Sequence, residues 1–416
     1  MEKLVIEGGL PLRGSVTVSG AKNSVLPLMA ATMLTPGTHR FTNVPKLRDV
    51  TTMQRLLAHL GVDSQIEGRT LTLTTNELKS HEAPYDLVKT MRASVLVLCP
   101  LVARWGKARV SLPGGCAIGA RPIDLHLKAL KEMGATIEIK EGYVEASAEK
   151  LKGAHITFDT VTVTGTENLM MAASLAEGAT TLKNAAREPE IGDLANYLNK
   201  MGAKIEGAGT DTLTIQGVSQ LKPSEHSVIA DRIEAATFLM AGAITGGEVT
   251  VKNCPSQFLE ALIDRLKEAG CTFDIADHQI TIKITQRLKS VNVTTSPFPG
   301  FATDLQAQFM ALMTLAEGTS VISETIFENR FQHALELKRL GADITLDGRT
   351  AIIKGVEKLS GAPLMATDLR ASASLILAGL AAEGTTIVDR AYHIDRGYEH
   401  IEERLARLGA KIKRQY

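Results

Sequence analysis

The sequence has no excess of either charge and no long apolar run. Lysine plus arginine and aspartate plus glutamate each number 46, so the chain as a whole does not attract nucleic acid or an anionic membrane surface. No apolar run reaches the roughly 20 residues of a membrane-spanning helix. The first residues, Met1-Glu-Lys-Leu-Val, lack the apolar core of a signal peptide. We expect a soluble cytoplasmic enzyme with no nucleic-acid or membrane partner.

Common metal and nucleotide motifs are also missing. The cysteines at positions 99, 116, 254 and 271 have no metal-binding spacing, and no His-Glu-x-x-His occurs. Neither a Walker loop nor a Gly-x-Gly-x-x-Gly turn opens a helix after a strand. The sequence therefore predicts reduced thiols, no metal and no cofactor, and it gives no support to nucleotide hydrolysis or dinucleotide redox chemistry.

What the chain does contain is a repeat. Six times a helix ends in Leu/Met-Gly-Ala or a close relative, and a strand, a turn and a second strand follow. The glycines lie 68 to 73 residues apart, at positions 61, 134, 202, 270, 341 and 409. A repeat of this length is a whole supersecondary unit.

Each repeat contains two kinds of helix. One is amphipathic, with apolar residues at helical spacing as in Phe258, Leu262 and Leu266, and is expected at a surface. The other, such as Ala371 to Ala382, is apolar nearly all round and is expected to be buried. The strands alternate apolar and polar residues, which is typical of sheets with one solvated face. Buried helices wrapped by sheets and outer helices predict an inside-out α/β arrangement.

Six repeats are too many for one core, since domains rarely exceed about 200 residues. We predict three repeats in each of two domains, residues 21–229 and residues 1–20 plus 230–416. The opening strands Lys3–Ile6 and Ser15–Val18 are expected to complete the last repeat. Because the chain would cross between the domains twice, the pattern favours closure around a cleft.

Charged residues at the starts of the buried helices depart from the repeat. Cations are disfavoured at a helix N-terminus, yet Lys22, Arg92 and Arg370 stand there. Aspartates at such positions, Asp304 and Asp368 among them, have an ordinary alternative role as N-caps. If these helix starts face one cleft, their N–H groups and cations would bind a multiply charged anion such as a phosphate or a carboxylate.

The second repeat contains a glycine-rich segment, Pro113-Gly-Gly-Cys-Ala-Ile-Gly-Ala-Arg-Pro122. A structural free cysteine prefers apolar burial. Cys116 instead lies among glycines with Arg121 nearby, which fits a reactive thiol of lowered pKa. Two polar loops, Glu328-Asn-Arg330 and Arg390 to Tyr398, occupy equivalent places in repeats five and six and suggest a common rim.

Seven motifs together resemble one known family, and the similarity runs from end to end. They are Lys22-Asn23, the segment 113–122, Asn184-Ala-Ala-Arg-Glu-Pro-Glu190, Thr303-Asp304-x-Gln, Glu324-Thr-Ile-Phe-Glu-Asn-Arg330, Ala366-Thr-Asp-Leu-Arg-Ala371 and His393-Ile-Asp-Arg-Gly-Tyr398. The family is the UDP-N-acetylglucosamine 1-carboxyvinyltransferases of the EPSP synthase-like superfamily. The resemblance implies a two-domain inside-out α/β barrel with its active site in the interdomain cleft.

The resemblance also implies a reaction. Phosphoenolpyruvate and UDP-N-acetylglucosamine would give the 3-O-enolpyruvyl ether and phosphate through a tetrahedral ketal, the first committed step of peptidoglycan synthesis. By the same resemblance, Cys116 acts as the acid at C3 and Asp304 handles the proton of the 3-hydroxyl. Lys22 and Arg396 complete the catalytic set.

The implied substrate residues come from the same motifs. Phosphoenolpyruvate would bind to Lys22, Arg121 and Arg396, with Arg92 and Arg370 beside them. Arg330 and Asp368 are further substrate-binding candidates, without assignment to either substrate. The sugar nucleotide would meet the remaining set, which comprises Asn23, Asp304, Arg121, Pro122, Ile123, Asp124, Leu125, Thr162, Val163, Thr164 and Ile326. We expect a monomer whose only partners are these two small molecules.

Two alternatives stay open. The sister enzyme that acts on shikimate 3-phosphate shares the architecture, although the cysteine in the glycine-rich segment and the Arg121-Pro-Ile-Asp-Leu125 run argue against it. A catalytically silent relative that binds the nucleotide sugar predicts decayed catalytic positions. Cys116, Asp304, Lys22 and Arg396 are all present.

Overall fold

The computed structural model describes residues 2–112 and 123–416. These residues form two compact units. One, which we name the split unit, contains the described residues up to Ser19 together with Ala230–Tyr416. The other, the continuous unit, contains the described residues from Gly20 to Ile229. Each unit has its own apolar core.

The described residues contain thirteen α-helices. They are α1 (Lys22–Ala31), α2 (Arg48–Leu60), α3 (Tyr85–Val88), α4 (Leu98–Trp105), α5 (Asp124–Glu132), α6 (Val163–Ser174), α7 (Pro189–Lys200), α8 (Arg232–Ile244), α9 (Glu260–Glu268), α10 (Gln306–Met313), α11 (Gln332–Arg339), α12 (Leu369–Ala381) and α13 (Ile401–Arg407). Short 3-10 helices cover Thr32–Leu34, Arg92–Val97, Ser256–Phe258, Thr303–Leu305 and Ala391–Arg396. No helix within the described ranges is both long enough and apolar enough to cross a membrane.

The same residues contain twenty-four strands. They are β1 (Lys3–Glu7), β2 (Arg13–Thr17), β3 (Gly37–Thr42), β4 (Val62–Glu67), β5 (Thr70–Thr75), β6 (Glu82–Ala83), β7 (Lys107–Ser111), β8 (Thr136–Lys140), β9 (Tyr143–Ser147), β10 (His155–Thr157), β11 (Ala179–Lys183), β12 (Lys204–Glu206), β13 (Thr212–Gln216), β14 (Glu225–Ser227), β15 (Glu248–Lys252), β16 (Thr272–Ala276), β17 (Gln279–Lys283), β18 (Val293–Thr294), β19 (Thr319–Ser323), β20 (Asp343–Asp347), β21 (Thr350–Lys354), β22 (Pro363–Met365), β23 (Thr385–Asp389) and β24 (Lys411–Gln415).

The strands form six four-stranded sheets built on one plan. The orders are β14-β3-β5-β4, β6-β7-β9-β8 and β10-β11-β13-β12 in the continuous unit, and β2-β15-β17-β16, β18-β19-β21-β20 and β22-β23-β1-β24 in the split unit. In each, an edge strand pairs in parallel with the strand that follows the buried helix, and the other two pairings are antiparallel. The predicted six-repeat α/β fold is confirmed.

The chain's first two strands go to different sheets. β1 lies between β23 and β24, with Lys3 opposite both Asp389 and Gln415, so it completes the sixth repeat as expected. The expectation for Ser15–Val18 is wrong, because β2 pairs in parallel with β15 of the fourth repeat. Alternation of apolar and polar residues predicts a strand, but it does not select the strand's partner.

Burial follows the two helix types that the sequence predicts. All thirteen residues of α8 are buried, as are all but one residue of α12. The amphipathic α9 buries only Leu262, Ile263 and Leu266, which lie on one face. The charged residues in the first turns of the buried helices are therefore attached to apolar helices that cannot shift without disturbing the core.

Candidate active site

The Asp304 carboxylate lies between two arginines of the split unit. Asp304 belongs to the single 3-10 turn before α10. Arg330 Nη2 donates to Asp304 Oδ1 at 2.7 Å, and Arg370 donates to Oδ2 from Nη2 at 2.7 Å and from Nε at 3.1 Å. The two arginine side chains are 5% and 6% exposed, whereas that of Asp304 is 26% exposed. The carboxylate is therefore accessible while the cations behind it are fixed.

The arginines determine the charge state of this group. Burial alone would raise the pKa of Asp304, but the charges and hydrogen bonds of Arg370 and Arg330 hold it well below its ordinary value. Burial alone would lower the pKa of Arg370, yet the pairing with Asp304 raises it. Asp304 and Arg370 therefore stay ionised at neutral pH. Since an arginine side chain is always cationic in a protein, Arg330 gives the group one net positive charge, which favours an anionic ligand.

Arg370 is held from behind by a buried tyrosine. Arg370 Nη1 donates to the Tyr398 hydroxyl at 3.3 Å, and burial raises the pKa of that hydroxyl, so it remains neutral. The same oxygen lies 2.8 Å from Thr237 Oγ1 and accepts from Gln308 Nε2 at 3.3 Å. Gln308 also donates to the backbone oxygen of Asp304 at 3.0 Å. These contacts fix the positions of both members of the ion pair.

A second set of hydrogen bonds fixes Arg330. Its Nη1 donates to Thr303 Oγ1 at 2.7 Å, and that hydroxyl donates to Glu324 Oε2 at 2.8 Å. Glu324 Oε1 accepts from the backbone N–H groups of Ile326 at 2.8 Å and Phe327 at 3.1 Å. The loop that carries Ile326, a predicted substrate residue, is thus connected to the Asp304 group.

Asp368 caps α12. Its Oδ1 accepts from the backbone N–H groups of Arg370 at 2.8 Å and Ala371 at 3.0 Å. This is the structural role that the sequence offered as the alternative to ligand binding. The cap fixes the helix turn from which Arg370 reaches Asp304.

Lys22, in the continuous unit, pairs with a buried aspartate that the sequence analysis missed. Lys22 is the first residue of α1, and its Nζ lies 2.8 Å from Asp49 Oδ2. The Asp49 side chain is 4% exposed. A carboxylate in the first turn of α2 is ordinary compensation of the helix dipole, so the pattern did not mark Asp49. Asn23 follows Lys22 and is half-buried.

A neutral histidine connects two other predicted positions in the continuous unit. Burial, together with the smaller effect of the Arg92 charge, lowers the pKa of His126 from 6.5 to about 4. Asn168 Nδ2 lies 3.0 Å from His126 Nδ1, and Thr164 Oγ1 lies 3.4 Å from its Nε2. This arrangement places Nδ1 as the acceptor and leaves the proton on Nε2, facing Thr164 at the start of α6.

The segment Thr162–Thr164 forms the N-terminus of α6. The Thr162 hydroxyl accepts from the backbone N–H of Gly165 at 3.2 Å as the N-cap. All three residues of the segment are half-buried. Free N–H groups at such a helix start are suited to an anion.

The remaining predicted residues are less informative. Arg396 ends a 3-10 helix and is half-buried, and its charge adds to burial in lowering the pKa of His393. Ile123 precedes α5, and Asp124 and Leu125 begin it. Cys116, Arg121 and Pro122 lie outside the described residues.

Among the predicted residues, the structure brings Asp304, Arg330 and Arg370 into one ion-paired group. It places Arg92 close enough to His126 to affect its pKa, and Thr164 contacts the same ring. Across residues 2–112 and 123–416, no cluster of three or more His, Cys, Asp or Glu side chains could hold a metal ion.

Comparison with known proteins gives the family. The model of the family described as EPSP synthase (3-phosphoshikimate 1-carboxyvinyltransferase) matches residues 6–405. The UDP-N-acetylglucosamine 1-carboxyvinyltransferase of Myxococcus xanthus is 60% identical over 418 residues, and the match covers 100% of this chain and 100% of the relative. That of Trichlorobacter lovleyi is 60% identical over 415 residues, covering 100% of this chain and 99% of the relative. The chain belongs to the EPSP synthase family.

Solved structures support the fold of this EPSP synthase family member. The enolpyruvyl transferase NikO from Streptomyces tendae matches with a TM-score of 0.89 at 28% identity, covering 100% of this chain and 99% of that one. EPSP synthase from Acinetobacter baumannii matches with a TM-score of 0.75 at 20% identity over the full length of both chains, which shows a shared fold. The predicted fold class and the resemblance to UDP-N-acetylglucosamine 1-carboxyvinyltransferases are confirmed.

Proposed function

We propose that this chain transfers the enolpyruvyl group of phosphoenolpyruvate to the 3-hydroxyl of UDP-N-acetylglucosamine and releases phosphate. Relatives of 60% identity that bear the corresponding name support this choice. The observation that carries it is the ionised Asp304 carboxylate between Arg330 and Arg370. An accessible carboxylate in a positively charged group can bind a hydroxyl beside an anion, as this reaction requires.

The proposed chemistry is an addition followed by an elimination. The sugar oxygen forms a bond to C2 of phosphoenolpyruvate, C3 takes up one proton, and the hydroxyl loses its own. The product of this step is a tetrahedral ketal that still carries phosphate. The bond from C2 to the phosphate oxygen then breaks, the methyl group loses one proton, and the carbon–carbon double bond is restored.

Asp304 is assigned to the hydroxyl proton. Because its pKa lies well below the ordinary value, the carboxylate is a weak base toward a free hydroxyl. Proton transfer to it becomes favourable as the hydroxyl oxygen bonds to C2 and grows acidic. We therefore assign Asp304 to holding the hydroxyl first and taking its proton late in bond formation.

Basic residues are assigned to the donor substrate. Lys22, Arg121 and Arg396 would bind its phosphate and carboxylate, with Arg92 and Arg370 neutralising charge that develops during the reaction. Arg330 supports this group through Asp304, and Asp368 contributes by fixing the first turn of α12. Cys116 is assigned to proton donation at C3 and to phosphate departure.

The acceptor is assigned to residues at helix starts. Asn23 and Asp304 would bind the glucosamine, and Thr162, Val163 and Thr164 the diphosphate at the N-terminus of α6. The uridine would bind to Ile326 and to the residues Arg121, Pro122, Ile123, Asp124 and Leu125.

In the cell, this activity would be the first committed step of peptidoglycan biosynthesis in the cytoplasm, with consequences for cell wall biogenesis, cell shape and division. The protein would act as a monomer, without metal or organic cofactor. Fosfomycin, an epoxide, would inhibit it by alkylating Cys116.

The test is phosphate release from phosphoenolpyruvate with each acceptor offered separately. Release with UDP-N-acetylglucosamine alone is the expected result, and a metal chelator should not change the rate. Release with shikimate 3-phosphate alone would replace the proposal with the sister reaction. Binding of the nucleotide sugar without release of phosphate would identify a silent relative.

A further inference from the structure

Arg414, on the last strand of the split unit, lies among three carboxylates. Arg414 Nη1 and Nη2 donate to the two oxygens of Asp395 at 2.9 and 2.6 Å. Its Nε and Nη2 donate to the two oxygens of Glu402 at 2.7 and 3.2 Å, and Nη1 also donates to Glu2 at 3.2 Å. The Arg414 side chain is 12% exposed. All five of its N–H donors are therefore used.

The strength of this group comes from its geometry. Arg414 forms a two-pronged contact with each of two carboxylates, which a lysine ammonium cannot reproduce. Burial alone would raise the pKa of Glu402, but the hydrogen bonds from Arg414 lower it. Loss of the guanidinium would remove the positive charge that the carboxylates of Asp395, Glu402 and Glu2 share.

The segment that Arg414 holds carries a proposed substrate residue. Asp395 and Arg396 are the last two residues of the 3-10 helix Ala391–Arg396. The start of that helix is held by the backbone N–H of Ala391, which donates to the Glu2 carbonyl at 3.1 Å. Just beyond it, a Cβ on Gly397 would come within 2.6 Å of Leu369 on α12, so the segment packs closely there.

We propose that Arg414 is a positioning residue for Arg396. By holding Asp395, it fixes the end of the short helix from which Arg396 extends. This inference rests on the proposed function only in naming the ligand of Arg396, the phosphate or carboxylate of phosphoenolpyruvate. The fixing of the segment is a property of the chain itself.

The chain supplies a matched control in Arg109 of the continuous unit. Arg109 also pairs with three carboxylates, those of Glu82 at 2.8 Å, Glu141 at 3.3 Å and Glu145 at 3.1 Å. None of these partners is a proposed substrate residue. Arg109→Gln thus removes an arginine from a second group of three carboxylates, which lies outside the segment 391–398.

The first arm of the test measures backbone amide hydrogen exchange in the purified protein without substrates. Arg414→Gln and Arg414→Lys should both speed exchange of the amides in 391–398, while Arg109→Gln leaves them unchanged. Unchanged exchange in this segment in folded Arg414→Gln would overturn the proposal, whether or not the protein has the proposed activity. If Arg414→Gln does not fold, Asp395→Asn replaces it and the same acceleration is expected.

The second arm measures the KM of each substrate. Arg414→Gln should raise the KM for phosphoenolpyruvate about tenfold, within the range that small misplacements of positioning groups can cost. The KM for UDP-N-acetylglucosamine should stay near that of wild type, and Arg109→Gln should change neither. Equal rises in both KM values would indicate general loss of structure and contradict positioning. If the wild-type protein released no phosphate, the proposed function would be wrong, and the hydrogen-exchange measurement alone would test whether Arg414 fixes the segment 391–398.

Discussion

In this protein, individual buried charged side chains hold other side chains in position. Asp304 illustrates the principle, because its two arginine partners are themselves braced by Tyr398 and Thr303. Breaking a buried ion pair by removing one partner leaves an uncompensated charge and is usually destabilising. An isosteric amide also removes the charge, but it keeps the side-chain volume and one acceptor oxygen, so it is a better probe of Asp304 than alanine.

Asp304→Asn should retain the fold and lose turnover. The amide cannot take a proton from the 3-hydroxyl, and positioned proton transfer is worth about 10²–10⁴-fold in rate. Steady-state phosphate release and circular dichroism check the two parts of this expectation. Asp63→Asn is the control, since it removes only an exposed pair with Lys79 at 3.7 Å. A turnover number equal to that of wild type would remove Asp304 from the mechanism.

Glu234 gives a pH-dependent prediction. Its Oε2 accepts from the backbone N–H of Ser19 at 2.7 Å, and its Oε1 pairs with Arg404. Burial outweighs these contacts and raises the pKa from 4.5 to about 7. The folded chain thus holds this proton more tightly than the unfolded chain. The resulting stability is fully present below about pH 4.5 and is lost as pH rises to about 7.

Glu234→Gln should remove this dependence. The stability difference, wild type minus variant, should fall by roughly 3 kcal/mol between pH 4.5 and pH 8, from the size of the pKa shift. Thermal unfolding midpoints of both proteins across that range measure it. If the unfolding midpoints of wild type and variant differed by the same amount from acid to neutral pH, the raised pKa of Glu234 would be contradicted.

At the scale of elements, the glycines that end the amphipathic helices share a left-handed backbone conformation, but they differ in how much space surrounds them. Gly61 and Gly341 both have positive φ, at 110° and 94°. A Cβ on Gly61 would lie 2.4 Å from the backbone oxygen of Glu77, whereas one on Gly341 would meet no atom within 4 Å. Glycine is thus required at position 341 by the backbone conformation alone, and at position 61 by both the conformation and the lack of space for a side chain.

Gly341→Ala should cost about 1–2 kcal/mol, the penalty of a left-handed conformation for an L-residue. Gly61→Ala should cost clearly more, because its methyl group also collides with backbone that cannot move away cheaply. Thermal unfolding of the two variants against wild type tests the difference. Equal losses would mean that the contact with Glu77 relaxes without cost.

The elements themselves could largely be predicted from sequence. All-round apolarity predicts burial of α8 and α12, and the spacing of Leu262 and Leu266 predicts the buried face of α9. The partner of β2 could not be predicted, because an edge strand of five residues carries no signal for one parallel neighbour over another. Pairing of this kind is decided by tertiary packing between segments more than 200 residues apart.

For the molecule as a whole, the sequence predicted the charged residues of the candidate site better than their supports. Arg370 stood out as a cation at the start of an apolar helix, and the resemblance to a known family indicated Asp304. Asp49, Gln308 and Arg414 did not stand out, because each fits an ordinary pattern for a helix or a strand. Their importance arises only when distant segments meet, as when Gln308 reaches both Tyr398 and the Asp304 backbone.

The central claim is that the chain catalyses enolpyruvyl transfer by addition and elimination, and isotope uptake at C3 tests it most directly. The reaction is run in D₂O with phosphoenolpyruvate and UDP-N-acetylglucosamine, and the enolpyruvyl product is analysed by mass spectrometry and proton NMR. Addition of a solvent deuteron to C3, followed by loss of a proton from the resulting methyl group, predicts product with deuterium in its vinyl group. Formation of product with no deuterium at C3, or of no product at all, would contradict the account.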